Sequence, residues 1–362
     1  MIFRGECAAT KRALARRARS NHFVWAQSTW GHRRSCHLFL HPTVLVGLFF
    51  AGALLAGCHH PARQAIPLTV KVAAVQCSSA FGDVAANTRK LTELVKQAAE
   101  NGAKIVVLPE ASITGYLSQD AKTNWHVAGR PIEKAYVGRD PAPVAEPVPG
   151  PSTRHFCQLA KDLKIYLTIP LVEVDFTDGP DKPRYFNTVC LASPQGEVVA
   201  HYRKLKPWPY AEKSWATDGN RGLQTFDTEY GRVGLAICFD IYTVVPQYQS
   251  KDLWALLYPV AWADAEYPAE WFYHKLPARV KQFKYHLIAA NWSVDGPQGW
   301  RGYGFSVIIS REGKVLAAAK SVFGSDIVYA DLPIGKPAPP DRNAERGTAD
   351  ATENPPASRR LS

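Results

Sequence analysis

Val233-Gly234-Leu235-Ala236-Ile237 carries no polar side chain and runs straight into Cys238, which Phe239-Asp240-Ile241-Tyr242 follows at once. A short, continuous apolar run of this kind is the pattern of a strand covered on both faces, as in the parallel sheets of α/β proteins. The thiol then stands at the strand's C-terminal end, the edge at which open α/β sheets place their chemistry. A cysteine there is either a small core hydrophobe or a nucleophile, and the run alone leaves both open.

Two further segments end in the same way. Lys104-Ile105-Val106-Val107-Leu108-Pro109-Glu110 reads as a buried strand that Pro109 stops, having no N–H to donate, and that delivers the carboxylate of Glu110. Glu110 is then a helix N-cap or a catalytic base. Lys204 follows a hairpin-like stretch, Val189 to Leu191 and Val198 to Ala200, whose turn chemistry lies at Pro194 and Gly196. By itself it reads equally as a solvated charge.

Taken together, Leu108-Pro109-Glu110, Tyr202-Arg203-Lys204 and Ala236-Ile237-Cys238-Phe239-Asp240, in that chain order, resemble the nitrilase, or carbon–nitrogen hydrolase, superfamily. Tyr258-Pro259-Val260-Ala261-Trp262, Ala289-Ala290-Asn291-Trp292 and Arg311-Glu312-Gly313-Lys314-Val315-Leu316 agree with it. The resemblance implies a four-layer α-β-β-α sandwich, an α/β fold forming a single catalytic domain over residues 70–332, with copies pairing as a homodimer. It implies hydrolysis of a non-peptide linear amide through a cysteine thioester, with no cofactor. Cys238 would be the nucleophile and Glu110 the general base and acid. Lys204 and the backbone N–H of Phe239 would stabilise the oxyanion, and Glu212 would be a second glutamate orienting the lysine. Its alternative is a surface acid paired with Lys213 or Lys206. Cys238-Phe239-Asp240-Ile241 and the segment from Pro259 to Trp262 look most like the vanin (pantetheinase) and biotinidase branch. Two other readings stay open: a nitrilase using the same three residues on a nitrile carbon, and a catalytically silent, surface-anchored binding domain. Tyr116, Trp262 and Trp292 are candidates for the substrate pocket, the alternative for each being core filling.

The rest of the chain sets bounds. Val70 to Val75 reads as a strand and Asn87 to Ala103 as a helix stopped by Asn101-Gly102, so that with the Glu110 strand they form a βαβ unit. Thr153–Leu163 and Tyr267–Phe283 read as helices, Ile165–Val172 and Tyr285–Ala290 as strands, and Pro131 to Pro151 as a long surface loop. Ahead of this, Arg33-Arg34, an apolar stretch from Val44 to Leu54 and Leu55-Ala56-Gly57-Cys58 have the order of an export leader. The last four residues look like a bacterial lipobox, so residues 1–57 are expected to be removed and Cys58 lipidated. That makes an exported, membrane-anchored lipoprotein, with 58–69 as a linker. The stretch before Trp30 is long for a leader and is consistent with an over-extended start. Residues 333–362, rich in Pro, Ala, Asp and Arg, read as a disordered tail.

Eight of the 43 Lys and Arg residues but one of the 32 Asp and Glu precede Cys58, leaving 35 against 31. That balance gives no argument for nucleic acid as a partner. Of the seven cysteines, Cys77, Cys157 and Cys190 lie in apolar or helical contexts that read as core, and no metal-ligand spacing is present. Asn291-Trp292-Ser293 matches a glycosylation sequon but sits at what reads as a buried strand end.

Overall fold

In each of two sheets, three parallel strands form the centre and antiparallel strands flank them. The computed structural model describes residues 68–116, 140–209, 212–262, 268–294 and 303–335. These lie within one compact unit, residues 64–362. The leader, Cys58, the first part of the expected loop (131–139) and residues 336–362 lie outside the described residues.

The first sheet has the order β12 (Asp326–Pro333), β1 (Thr69–Gln76), β2 (Ile105–Val107), β3 (Tyr166–Asp175), β4 (Arg184–Ala192) and β5 (Val198–Arg203). The second has β11 (Val315–Ala318), β10 (Val307–Ile309), β9 (His286–Asn291), β8 (Ala255–Val260), β7 (Gly231–Leu235) and β6 (Thr225–Thr228). The runs β1-β2-β3 and β7-β8-β9 are parallel. Side chains alternate between faces with a period of two. Val72 and Ala74 meet Val233, Leu235 and Leu257 between the sheets. Ala73 and Val75 face the other way, onto α1 (Val84–Glu100) and α2 (Pro151–Leu163). The outer face of the second sheet, through Leu256, Tyr258 and Leu287, is covered by Ile241 of α3 (Asp240–Thr243), by Trp271 and Phe272, and by Leu276 and Val280 of α4 (Leu276–Phe283). These layers make the four-layer α-β-β-α sandwich.

Helix α1 starts and ends three residues earlier than the reading of Asn87 to Ala103, and the stretch read as one helix over Tyr267–Phe283 is, among the described residues, a helical turn Pro268–Glu270, a π-helical segment Trp271–Lys275 and α4. Asp83 caps α1 through Ala86 N–H at 3.1 Å, and Gly102, at φ +88°, takes the left-handed turn beyond its end. Pro333 to Gly335, which the composition places in the tail, belong to the fold. Strand β12 runs through Pro333 antiparallel to β1, Ile334 N–H donates to Leu68 O at 2.9 Å and Gly335 N–H to Tyr230 O at 2.8 Å. Composition misleads there because backbone pairing takes little notice of side-chain polarity at a strand end.

Strand β5 is the first sheet's edge and leads into Lys204, so its fixation matters to the site. Buried Glu173 of β3 reaches across β4 to do this. It accepts Arg203 Nη2 at 2.6 Å and Nε at 3.1 Å and the Thr188 hydroxyl at 2.6 Å, and it contacts His201 Nε2 at 2.8 Å. Burial pushes the Glu173 carboxyl up, but these partners outweigh it and bring it down to about 2.

Candidate active site

Four buried polar side chains from four segments meet at one point beside Cys238. Glu110 follows β2, Asn187 lies in β4, Lys204 follows β5, and Glu212 lies in a short 3₁₀ turn, Glu212–Ser214. Lys204 Nζ donates to Glu110 Oε1 at 2.8 Å and to Glu212 Oε1 at 2.7 Å. Asn187 Nδ2 donates to the same two oxygens, at 2.7 Å and 3.1 Å. Tyr116 OH adds a third donor to Glu212 Oε1 at 2.9 Å, and Trp208 N–H donates to Glu212 Oε2 at 2.8 Å. Glu110 Oε2 is buried with no hydrogen-bond partner.

The backbone positions these groups by close approach. Lys204 N–H donates to Asn187 O at 2.8 Å, and Lys204 O accepts Gly219 N–H at 2.9 Å. A Cβ on residue 219 would come 2.1 Å from Arg203 O, so only glycine admits that approach. Beyond Pro109, Trp292 Nε1 donates to Glu110 O at 2.5 Å. Cys238 turns the chain out of β7 with φ at +42°, a conformation rare for a residue with a side chain. Five bonds hold that turn: Cys238 N–H to Pro259 O at 3.0 Å, Tyr258 OH to Cys238 O at 2.5 Å, Ile237 N–H to Asp240 Oδ2 at 3.1 Å, Asp240 N–H to Ile237 O at 2.9 Å and Ile241 N–H to Cys238 O at 3.1 Å. Asp240 also accepts Tyr202 OH at 2.6 Å and Lys206 N–H at 3.2 Å, which ties the lysine's segment to the cysteine's across the two sheets. Burial pushes its carboxyl up to about 6 against the pull of Lys204.

Electrostatics follow from burial. Desolvation raises Glu110 most; Lys204 pulls it down, Glu212 pushes it up, and the carboxyl lands at about 8. Glu212 is lowered overall, since Lys204 and its hydrogen bonds outweigh its own burial. Lys204 is raised because its two carboxylates outweigh its burial, so it stays charged. Glu110 and Glu212 therefore titrate as a pair in which Glu110 is the later to ionise, and its ionised form is the one able to take the thiol's proton. The Cys238 thiol is raised well above its ordinary value, by burial first and by Glu110 next, so the sulfur stays protonated until a base takes its proton. Among the described residues, the Phe239 N–H has no hydrogen-bond partner and follows the sulfur directly.

Of the aromatic candidates, Tyr116 and Trp292 are buried, and one hydrogen-bonds Glu212, the other the backbone of Glu110. Trp262 is partly exposed and stacks on Trp271 with centroids 4.7 Å apart at 19°. Tyr242, also partly exposed, lies 6.4 Å from Trp262 between ring centroids, and partly exposed Phe239, next to Cys238 in the chain, lies 5.6 Å from Tyr242, so the three rings adjoin. Asn187 escaped the sequence reading; its only signal is an amide set between Phe186 and Thr188 at the start of a buried apolar run. Cys77, Cys157 and Cys190 are buried free thiols. Asn291 is buried too, with Nδ2 donating to Gly304 O at 2.7 Å. Among the described residues no group of three or more His, Cys, Asp or Glu side chains is placed to hold a metal ion.

The family model for carbon–nitrogen hydrolases matches residues 71–336. The ω-amidase NIT2 of Homo sapiens is 28% identical over 272 residues, covering 72% of this chain and 87% of its own. An aliphatic nitrilase of Sinorhizobium fredii is 31% identical over 172 residues, covering 48% and 53%. Among solved structures, an amidase of Nesterenkonia sp. AN1, with the acetamide moiety of fluoroacetamide on its active-site cysteine, has a TM-score of 0.57 at 22% identity. The match covers 73% of this chain and 90% of that one. Nit3 of Saccharomyces cerevisiae has a TM-score of 0.56 at 24% identity, covering 79% and 96%.

Proposed function

The chain belongs to the carbon–nitrogen hydrolase family, and from that membership we propose that it hydrolyses a non-peptide linear amide through a thioester on Cys238, with Glu110, Lys204 and Cys238 as its catalytic residues. The observation that carries this reading is Lys204 Nζ seated between Glu110 and Glu212 in a buried cluster that acts on the thiol's charge. As the sulfur attacks the carbonyl carbon, its proton passes to Oε2 of the ionised Glu110 and the carbonyl electrons move onto oxygen. Lys204 has three N–H bonds, two of them committed to carboxylates, so the third is free for that oxyanion beside the Phe239 N–H. When the C–N bond breaks, Glu110 returns the proton to the leaving amine. Water activated by the same carboxylate then cleaves the thioester, and the proton goes back to sulfur.

The adjoining rings of Phe239, Tyr242 and Trp262, beginning next to Cys238 in the chain, favour an acyl group with an apolar part. The relatives described above include an ω-amidase, an amidase and a nitrilase, and no pantetheinase or biotinidase is among them. The vanin-like placement therefore rests on Cys238-Phe239-Asp240-Ile241 and the Pro259–Trp262 segment alone. The test is a panel of amides and nitriles, with pantetheine-like and biotinyl amides included, offered to the purified domain. Amine or ammonia release from an apolar amide is the expected result. Release of ammonia from nitriles alone would replace this reading with the nitrilase one, and an inert domain would favour a binding role. Light scattering on the same sample tests the homodimer, which a monomer would remove.

The leader ending Leu55-Ala56-Gly57-Cys58 supports export and a lipid on Cys58, placing the hydrolase at a membrane face outside the cytoplasm. Labelled palmitate fed to a bacterial host is expected to mark the wild-type protein and leave Cys58→Ala unmarked. An unlabelled wild type removes the anchor.

A further inference from the structure

Asn187 is fully buried, and its amide nitrogen has two hydrogens, one for each carboxylate of the pair. Its Oδ1 is buried without a partner. Turning the amide over would press that oxygen against two carboxylate oxygens, so the neighbours fix its orientation. The donors are unevenly shared. Glu212 takes four, from Lys204, Asn187, Tyr116 and Trp208, with both of its oxygens engaged. Glu110 takes two, both on Oε1, and its Oε2 takes none.

We propose that Asn187 is a positioning residue that makes Glu110 the proton carrier of the pair and Oε2 the carrying atom. Donors stabilise the charged form of a carboxylate, so the proton settles where they are fewest. With Oε1 held by Asn187 and Lys204, the carboxylate plane cannot rotate, and Oε2 is left to receive the thiol's proton. Protonating Oε2 breaks no existing hydrogen bond, so the proton can arrive and leave without rearrangement around it. A residue that merely packed β4 would need only its backbone bond to Lys204, which any side chain at 187 keeps.

The inference rests on the thioester reading, and the experiment separates the two. Asn187→Leu removes both donors at similar volume, and Asn187→Asp keeps the shape while adding a third acid. For the wild type and each variant, the rate of alkylation by iodoacetamide at Cys238 is followed from pH 5 to 10 by mass spectrometry. Thermal melts are run beside it, and kinetics on whichever amide the panel identifies. In both variants the alkylation profile is expected to move up by about one pH unit or more, because Glu110 loses a donor to its charged form. Turnover is expected to fall by roughly 10²-fold with KM within about threefold, the scale of a misdirected proton transfer. A folded variant whose profile overlays the wild type's, with activity lost only as its melting temperature falls, overturns the proposal. If wild-type Cys238 reacts no faster than Cys77, Cys157 and Cys190, the thioester reading fails first and this inference with it.

Discussion

Cys238→Ala is expected to abolish amide turnover, by roughly 10⁴-fold or more, while the protein folds as before. The size of the loss follows from the mechanism: without sulfur there is no acyl-enzyme, and the remaining groups can only polarise a bound carbonyl. The preservation of the fold follows from the bonds that hold residue 238. Three run through its backbone, N–H to Pro259 O and C=O from Tyr258 OH and Ile241 N–H, and alanine keeps all of them, losing only the bond between the sulfur and the Ala261 backbone. Alanine is also no more strained than cysteine at φ +42°. The melting temperature should therefore stay within about 4 °C, a change of about 1 kcal/mol or less. Amine release and circular dichroism on the same preparation check both halves. Iodoacetamide supplies the control, since Cys238 is partly exposed and the other three described cysteines are buried. A folded alanine variant that still turned over substrate would rule out the thioester.

The two strand ends that carry Glu110 and Cys238 were legible because each is punctuated: an apolar run stops at Pro109 or turns at Cys238, and a polar group stands alone beyond it. The layers were legible for a related reason, since Val72 and Ala74 face one way and Ala73 and Val75 the other, and both sets are apolar. What could not be read depends on partners distant in the chain. Trp292 and Tyr116 look like pocket aromatics in sequence. Their polar ends are spent on Glu110 O, 182 residues away, and on Glu212, 96 residues away. Asn187 has the same difficulty, because nothing in Tyr185-Phe186-Asn187-Thr188 says that its amide turns inward to two acids. The short flanking strands β6, β10 and β11, of three or four residues, are also too brief for a periodicity to declare them.

Lys204→Met should cost both activity and stability, and the stability loss should depend on pH in a direction the site fixes. Methionine fills much of the same space but leaves Glu110 and Glu212 buried with Oε1 atoms that both lay within 2.8 Å of the lost ammonium. Removing one partner of a buried ion pair typically costs about 3–5 kcal/mol, and removing an oxyanion donor costs roughly 10²–10³ in turnover. In the wild type, Glu212 is depressed, so its contribution is present above the unfolded carboxylate value near 4.3 and is lost as pH falls through its folded value. Glu110 is raised to about 8, so its contribution is present below about 4.3 and is lost as pH rises through 8. Without Lys204 both carboxyls are governed by burial and mutual repulsion, and both fall into the raised class. The variant's melting-temperature deficit should therefore be small near pH 5, where each acid can hold a proton, and should widen toward pH 9. The acid limb of its residual activity should move above the wild-type limb near 8, because the base is harder to ionise. Melts at four or five pH values decide the matter. A deficit of constant size across that range would mean that Lys204 does not hold the two carboxylates ionised, and the assignment of Glu110 as the base would fall with it.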